Sequence, residues 1–543
     1  MDNYLFLQNN FNIMKTFNDG LSFCRGKGTS FLAPLWSCTF WSFRMVSPLV
    51  TVACLFLPLL LLIFFQNRKG KNSKFPPGPR GLPIVGNLLS VDSTTLHLQL
   101  WELSKKYGPI VSLRFGSRKA IAVCTSELAR EVLKDRDLEC CGRPKLLGQQ
   151  TLFFKGYDVI FSPYGEFWRE IRKICVLNVL SQKQVSTFSP IRHSELKDMM
   201  KRISRNASSG KLYNFTEATI SLTSTIICRI LFGRSYEDNE ADGSRFYSLL
   251  KGCQEMMVAF FFSDFIPSLG WIDTVTGKKA RLRAIFQEVD SFFQDAIDEH
   301  LDPKRVVSPE NQDITDIILQ LQKQRTSSIE LTDDVVKAIL MDLLLASTDS
   351  SSASLVWNMT ALLKNPRVMK KLQDEIRGKA NGKEFLDDED VQNLPYLRAV
   401  IKETFRYYPP GPILVQRETN EDCVIGGYEI PAKTTLYVNA WAIHKDENNW
   451  KNPFEYYPER FMDSNITFRG TDYEFLPFGS GRRVCPGMPM AIASLDLILA
   501  NLLNSFDWEL PNGMKPDDLD VLTDPGLTVH KRNPLHILPK RVI

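Results

Sequence analysis

The strongest periodic signal runs from Thr332 to Asn365, where apolar positions recur at helical spacing. Asp333 and Asp334 stand in its first turn, where carboxylates complement the helix dipole, and Asn365-Pro366 ends it. At the usual rise per residue such a helix spans roughly 50 Å, a length that only a large helical core requires. Ile110 to Val123 instead alternates apolar and polar residues about Gly116-Ser117, which predicts a β-hairpin, with Ser126 placed to cap the helix that follows. Most later segments read as helices. One is apolar through Leu397, Val400, Ile401 and Phe405 and is stopped by Pro409-Pro410.

A second kind of apolar run lies near the start. Val46 to Phe65 holds 20 residues without a charge, followed at once by Arg68, Lys69, Lys71 and Lys74. That length crosses a bilayer, and the basic flank stays on the cytosolic side. Residues 45–67 are therefore read as a single transmembrane anchor, preferred over a cleaved signal peptide because the run is long and no small-residue cleavage site follows. Residues 1–44 have few acids and no clear periodicity; they read as an upstream extension before Met45, with a plastid-type targeting segment as the alternative. Residues 68–84 form a basic, proline-rich hinge, since Phe75-Pro76-Pro77-Gly78-Pro79 forbids a continuing helix. The remainder, 85–543, is taken as one catalytic domain.

Composition narrows the classes. Of 543 residues, 44% are hydrophobic and 24% charged, which is ordinary for a globular chain. The net charge of +4 gives no support to nucleic-acid binding. Eleven scattered cysteines with no C-x-x-C repeat fit neither a zinc site nor a disulfide framework.

One cysteine stands apart. In Phe478-Gly479-Ser480-Gly481-Arg482-Arg483-Val484-Cys485-Pro486-Gly487, two glycines allow a tight backbone path, and Pro486 suits the first position of a new helix. Cys485 would then lie at a helix N-terminus, where partial positive charge favours the thiolate. The alternative is a buried cysteine acting as a small hydrophobe.

This loop resembles the haem-binding loop of the cytochrome P-450 superfamily, and three further motifs resemble the same family in the same order. Ala346-Ser347-Thr348-Asp349-Ser350-Ser351-Ser352 is similar to its oxygen-activating segment, with Ser347 where glycine is usual and Ser350 where threonine is usual. Read without the family, that run of poor helix formers either kinks one long helix or separates two shorter ones. Glu403 and Arg406, three apart on one helical face, resemble the family's Glu-x-x-Arg pair, and Arg460 the second arginine of its buried network. Trp168, Arg172 and Arg417 resemble residues that meet haem propionates, as does Arg483.

The resemblance covers Phe75 to the C-terminus and implies a mainly α fold with a small β-rich lobe. It also implies haem b with Cys485 as the axial ligand and Phe478 beside it, and Asp349 and Ser350 relaying protons for oxygen activation. The expected reaction is insertion of one atom of O2 into a small hydrophobic plant metabolite. NADPH is used indirectly, through NADPH-cytochrome P-450 reductase; cytochrome b5 is a further candidate donor, and Lys173 and Arg482 a candidate docking face. The expected place is the endoplasmic reticulum membrane, with the catalytic domain in the cytosol. Within the superfamily the wording of the motifs resembles plant enzymes of specialised metabolism, near the aldoxime-oxidising branch. Ser347 and Ser350 also motivate an isomerase or dehydratase acting without NADPH, and a non-catalytic haem-binding sensor is the reading from another class.

Overall fold

A computed structural model describes residues 74–542, except 93, 237–239, 309–310 and 326. The extension, the anchor and most of the basic cluster lie outside the described residues. The Thr332 pattern folds as one unbroken helix, Asp333–Lys364, of 32 residues, with Thr332 and Asn365 as its caps. The two-helix alternative is thereby excluded. The Ser/Thr run survives inside the helix because its hydroxyls bond back to the ladder rather than replace it: Ser350 Oγ donates to the Ala346 carbonyl at 2.7 Å, and Ser354 Oγ to that of Ser350 at 2.7 Å. Nearly every other residue of this central helix is buried. It packs against Phe215–Phe232, against Pro395–Tyr407 and against Met488–Ser505.

Phe215–Phe232 and Met488–Ser505 are themselves long and apolar enough to cross a membrane, yet 67% and 61% of their residues are buried inside the fold. They are core helices. Burial among other helices satisfies an all-round apolar surface as well as lipid does.

The hairpin forms as the alternation predicts, Ile110–Phe115 antiparallel to Arg118–Val123. Arg118–Val123 then pairs in parallel with Thr435–Val438, Ala120 opposite Thr435, and Arg417–Glu418 closes this four-stranded sheet. Ser126 is the first residue of its helix rather than the cap; the cap is Thr125, and the Ser126 hydroxyl accepts a hydrogen bond from Asn449 at 3.1 Å. The proline-rich segment lies along the sheet, where the Ser112 amide donates to the Pro77 carbonyl at 2.8 Å. Small two- and three-stranded sheets, the latter including His536–Arg541, complete a mainly helical architecture with a β-rich lobe.

Candidate active site

The cysteine loop is built from its two glycines. Gly479 and Gly481 have φ of 70° and 71°, the left-handed region that glycine enters without strain. At Gly481 a Cβ would stand 2.2 Å from the Leu133 carbonyl oxygen, so no other residue fits. The turn brings the Cys485 amide to the Phe478 carbonyl at 3.0 Å. The following helix begins later than the sequence suggested: it runs Met488–Ser505 with Gly487 as cap, and Pro489 rather than Pro486 occupies its first turn. Cys485 nevertheless receives the polarity of that helix end. Burial pushes its thiol up, while the amides of Gly487 and Met488 and the charge of Arg172 act in the opposite direction and favour the thiolate.

Glu403 and Arg406 project from Pro395–Tyr407 and are both completely buried. Arg406 grips Glu403 through Nε at 2.7 Å and Nη2 at 2.8 Å. Its remaining donors reach the carbonyls of His444, Pro453 and Glu455. Arg460 adds a contact to Glu403 at 3.2 Å, and the Tyr457 amide another at 2.7 Å. A buried charge set of this kind is stable because every donor is satisfied. Its helix also carries Phe405, whose ring lies against Phe478 and Phe468.

Four guanidinium groups converge behind the loop. Arg172 donates to the Val484 carbonyl at 2.5 Å. Arg483 donates to the carbonyls of Cys141, Val159 and Ser162, and stacks over Trp168 with its carbon 4.2 Å from the ring centroid. The Trp168 indole N–H is spent on the Val159 carbonyl at 2.9 Å. Arg417 reaches the Ser480 carbonyl at 2.9 Å and pairs with Asp137 at 2.6 Å, so its observed task is to hold the loop from the sheet side. Asp137, at the start of a short helix, also accepts from the Arg482 amide at 2.9 Å.

The fourth, Arg143, carries no signal in the sequence. It lies in an irregular segment with no periodicity, and its Arg-Pro dipeptide is too short to mark a motif. It is buried and donates to the carbonyls of Ile160, Val415 and Gln416. Burial, then the charges of Arg483 and Arg417, hold its pKa well below the ordinary value; burial, with the charges of Arg417 and Arg172, brings Arg483 down to about 10. Such mutual repulsion among guanidiniums bonded mostly to neutral carbonyls fits a site for carboxylates, whose charge-assisted bonds are roughly twice as strong.

Two buried acids shape the same region. Asp342 of the central helix accepts the Val159 amide at 2.6 Å, and Asp158 accepts the Phe161 amide. Burial raises both pKa values, Asp158 to about 6, and Asp158 pushes Asp342 further up. Together they fix the loop whose Val159 carbonyl orients Trp168 and Arg483.

Between two buried stretches of the central helix, Ala346 and Ser350, one turn apart, are exposed, and Ser347, Asp349 and Ser351 are half-buried. That face of the helix is thus left uncovered by the rest of the protein. On the neighbouring helix Met488 to Ser494 is half-buried, whereas everything from Leu495 to Ser505 is buried. A flat ligand between these helices would meet a soft sulfur donor, a small-residue face and a cluster of cations, which is the donor set a dicarboxylate porphyrin requires.

The family model for cytochrome P450 matches residues 76–538. The chain is a cytochrome P450. It is 42% identical over 508 residues to 5-OH-xanthotoxin synthase of Pastinaca sativa, covering 92% of this chain and 100% of that one. Against phenylacetaldehyde oxime monooxygenase of Prunus mume it is 40% identical over 498 residues, covering 90% and 94%. Among solved structures, a zebra fish cytochrome P450 with progesterone superposes with a TM-score of 0.70 at 25% identity, covering 82% of this chain and 99% of the other. As a member of this family the chain is a plant haem-thiolate monooxygenase of specialised metabolism. The bound haem supplies oxygen activation, and a cysteine of the protein ligates it.

Proposed function

We propose that this P450 hydroxylates a small, largely apolar aromatic or oxime-bearing metabolite, with Cys485 as the haem ligand. Its electrons come from NADPH-cytochrome P450 reductase, with cytochrome b5 as an accessory donor, on the cytosolic face of the endoplasmic reticulum. Arg143, Arg172 and Arg483 take the propionates, with Trp168 as the platform under Arg483. Arg417 secures the loop. Asp349 and Ser350 handle protons on the distal side, and Phe478 shields the sulfur. The observation that carries this reading is the pairing of an exposed Ala346–Ser350 face, inside a buried helix, with the half-buried Cys485 loop on its neighbour.

The substrate class rests on which segments come together. The Leu147 amide donates to Asp264 at 3.0 Å, and Gly148 packs so closely on the Met256 carbonyl that a Cβ would stand 2.2 Å from its oxygen. The Val529 amide donates to the Pro410 carbonyl at 2.8 Å, and Trp357 of the central helix donates to the Val529 carbonyl at 2.9 Å. These segments are rich in Leu, Phe and Met, which selects an apolar ligand. One relative is named as a 5-OH-xanthotoxin synthase and another as a phenylacetaldehyde oxime monooxygenase, which points the same way. The test is incubation of membranes carrying the protein and reductase with NADPH, isotopically heavy O2 and a pool of coumarins and aryl aldoximes. Products bearing one labelled oxygen, absent with Cys485→Ala, are expected; unlabelled products formed without NADPH would overturn the reading.

A further inference from the structure

Asp349 is tied to two elements far from it in sequence. His530 Nε2 lies 2.7 Å from Asp349 Oδ1, and Gln254 Nε2 donates to the same oxygen at 2.8 Å. His530 belongs to the C-terminal hairpin, where His530–Lys531 pairs with Thr523–Asp524; Gln254 belongs to Glu240–Met257. Ser350, next to Asp349, has its hydroxyl on the Ala346 carbonyl.

We propose that His530 is the point at which protons enter the central helix, positioning the Asp349 carboxylate together with Gln254 and replenishing its proton from solvent. This rests on the reading of Asp349 and Ser350 as proton-handling groups. The exposure of the three side chains gives the direction. The His530 side chain is 31% exposed, so water reaches it, whereas that of Asp349 is 16% exposed and sits behind it. Ser350, the next residue along the helix, is itself exposed. A proton leaves the imidazolium Nε2 for the Asp349 carboxylate, and the imidazole takes another from water. The Ser350 hydroxyl takes up that proton while giving its own, held here on the Ala346 carbonyl, towards the reaction centre.

The charges facing His530 are consistent with this role. Asp349 faces it from the central helix and Asp524 from the paired strand, while the adjacent Lys531 is engaged by Asp520. Burial lowers the imidazole pKa, but the hydrogen bond and charge of Asp349, with a smaller contribution from Asp524, more than offset it and leave it above the ordinary value. His530 is thus charged at the acid end of the physiological range and discharges as pH rises, so the inlet closes on the alkaline side.

Two measurements on the full-length protein test this. In the first, the rate at which diethyl pyrocarbonate modifies His530 is followed against pH by peptide mapping, in the wild type and in Asp349→Asn. Loss of the carboxylate should lower the apparent pKa and speed modification near pH 6.5, severalfold and at most about tenfold if the pKa falls by one. An unchanged profile would overturn the contact. In the second, peroxide released per NADPH is measured against pH with reductase, using phenylacetaldoxime as the probe. The wild type should release more peroxide as pH rises through the His530 transition. His530→Gln, which keeps a donor but cannot titrate, should be flat and high, and His530→Asn should match it, a check that holds if one variant folds poorly. If Asp349→Asn alters peroxide yield while both His530 variants retain the wild-type profile, His530 is not the inlet. If Asp349→Asn leaves the yield unchanged, the reading of Asp349 itself fails.

Discussion

Phe405 and Phe478 meet nearly edge-on, with ring centroids 5.5 Å apart. This contact joins the helix of the buried Glu403–Arg406 pair to the first residue of the loop that carries Cys485. Phe405→Ala is expected to cost about 3 to 5 kcal/mol, the range for emptying a buried aromatic site. It should also lower haem retention more than Phe405→Leu does. Equal haem retention in the two variants, measured by absorbance after gel filtration, would mean that the ring contact does not control the loop.

Arg406→Leu leaves Glu403 without its fork and uncovers three carbonyls. Removal of one partner from a buried pair costs roughly 3 to 5 kcal/mol, which should abolish accumulation of folded protein at growth temperature. Arg460→Leu should be milder, because Arg406 still holds Glu403 through two bonds. Comparing the thermal midpoints of the two variants checks the ranking.

Ser350 tests the proton path through its shape. Ser350→Thr adds the methyl that restricts hydroxyl rotation, whereas Ser350→Ala removes the hydroxyl altogether. Peroxide per NADPH should fall in the first and rise severalfold in the second. A rise in both would show that the space at this position, not the hydroxyl, limits coupling.

Asp496 gives the fold a pH dependence of unusual sign. Burial raises its pKa to about 7, with Arg398, 3.7 Å away, acting weakly in the opposite direction. The folded state therefore binds more protons than the unfolded chain between about pH 4 and 7, so this contribution is present at low pH and lost as pH rises through 7. Asp496→Asn should raise the denaturation midpoint relative to wild type, and by clearly more at pH 8 than at pH 5. Equal gains at both pH values would exclude titration of this group as the cause.

Cys485→Ser keeps the loop geometry but replaces the soft sulfur donor. The reduced carbon monoxide complex should lose its thiolate-type absorption while the protein remains folded by circular dichroism. Retention of that band would reassign the ligand.

Features that are local in the chain were legible before any folding was known. The Gly-x-Gly turn ahead of Cys485, the hairpin about Gly116-Ser117 and the central helix bounded by Thr332 and Asn365 all follow from backbone restrictions and periodicity within a few residues. Glu403 and Arg406 were legible for the same reason, since a spacing of three fixes them on one face. Tertiary structure decided the partners. Asp137 with Arg417, and Asp349 with His530 and Gln254, are pairs that no local preference encodes, because each is made only when distant elements pack. Arg143 was invisible on its own and became meaningful only when burial placed it beside Arg483 and Arg417. The start of the last helix moved from Pro486 to Met488 because Cys485 bonds back to Phe478 before the helix can begin. Local sterics specify the elements; burial and charge, which depend on everything that surrounds a residue, specify the site.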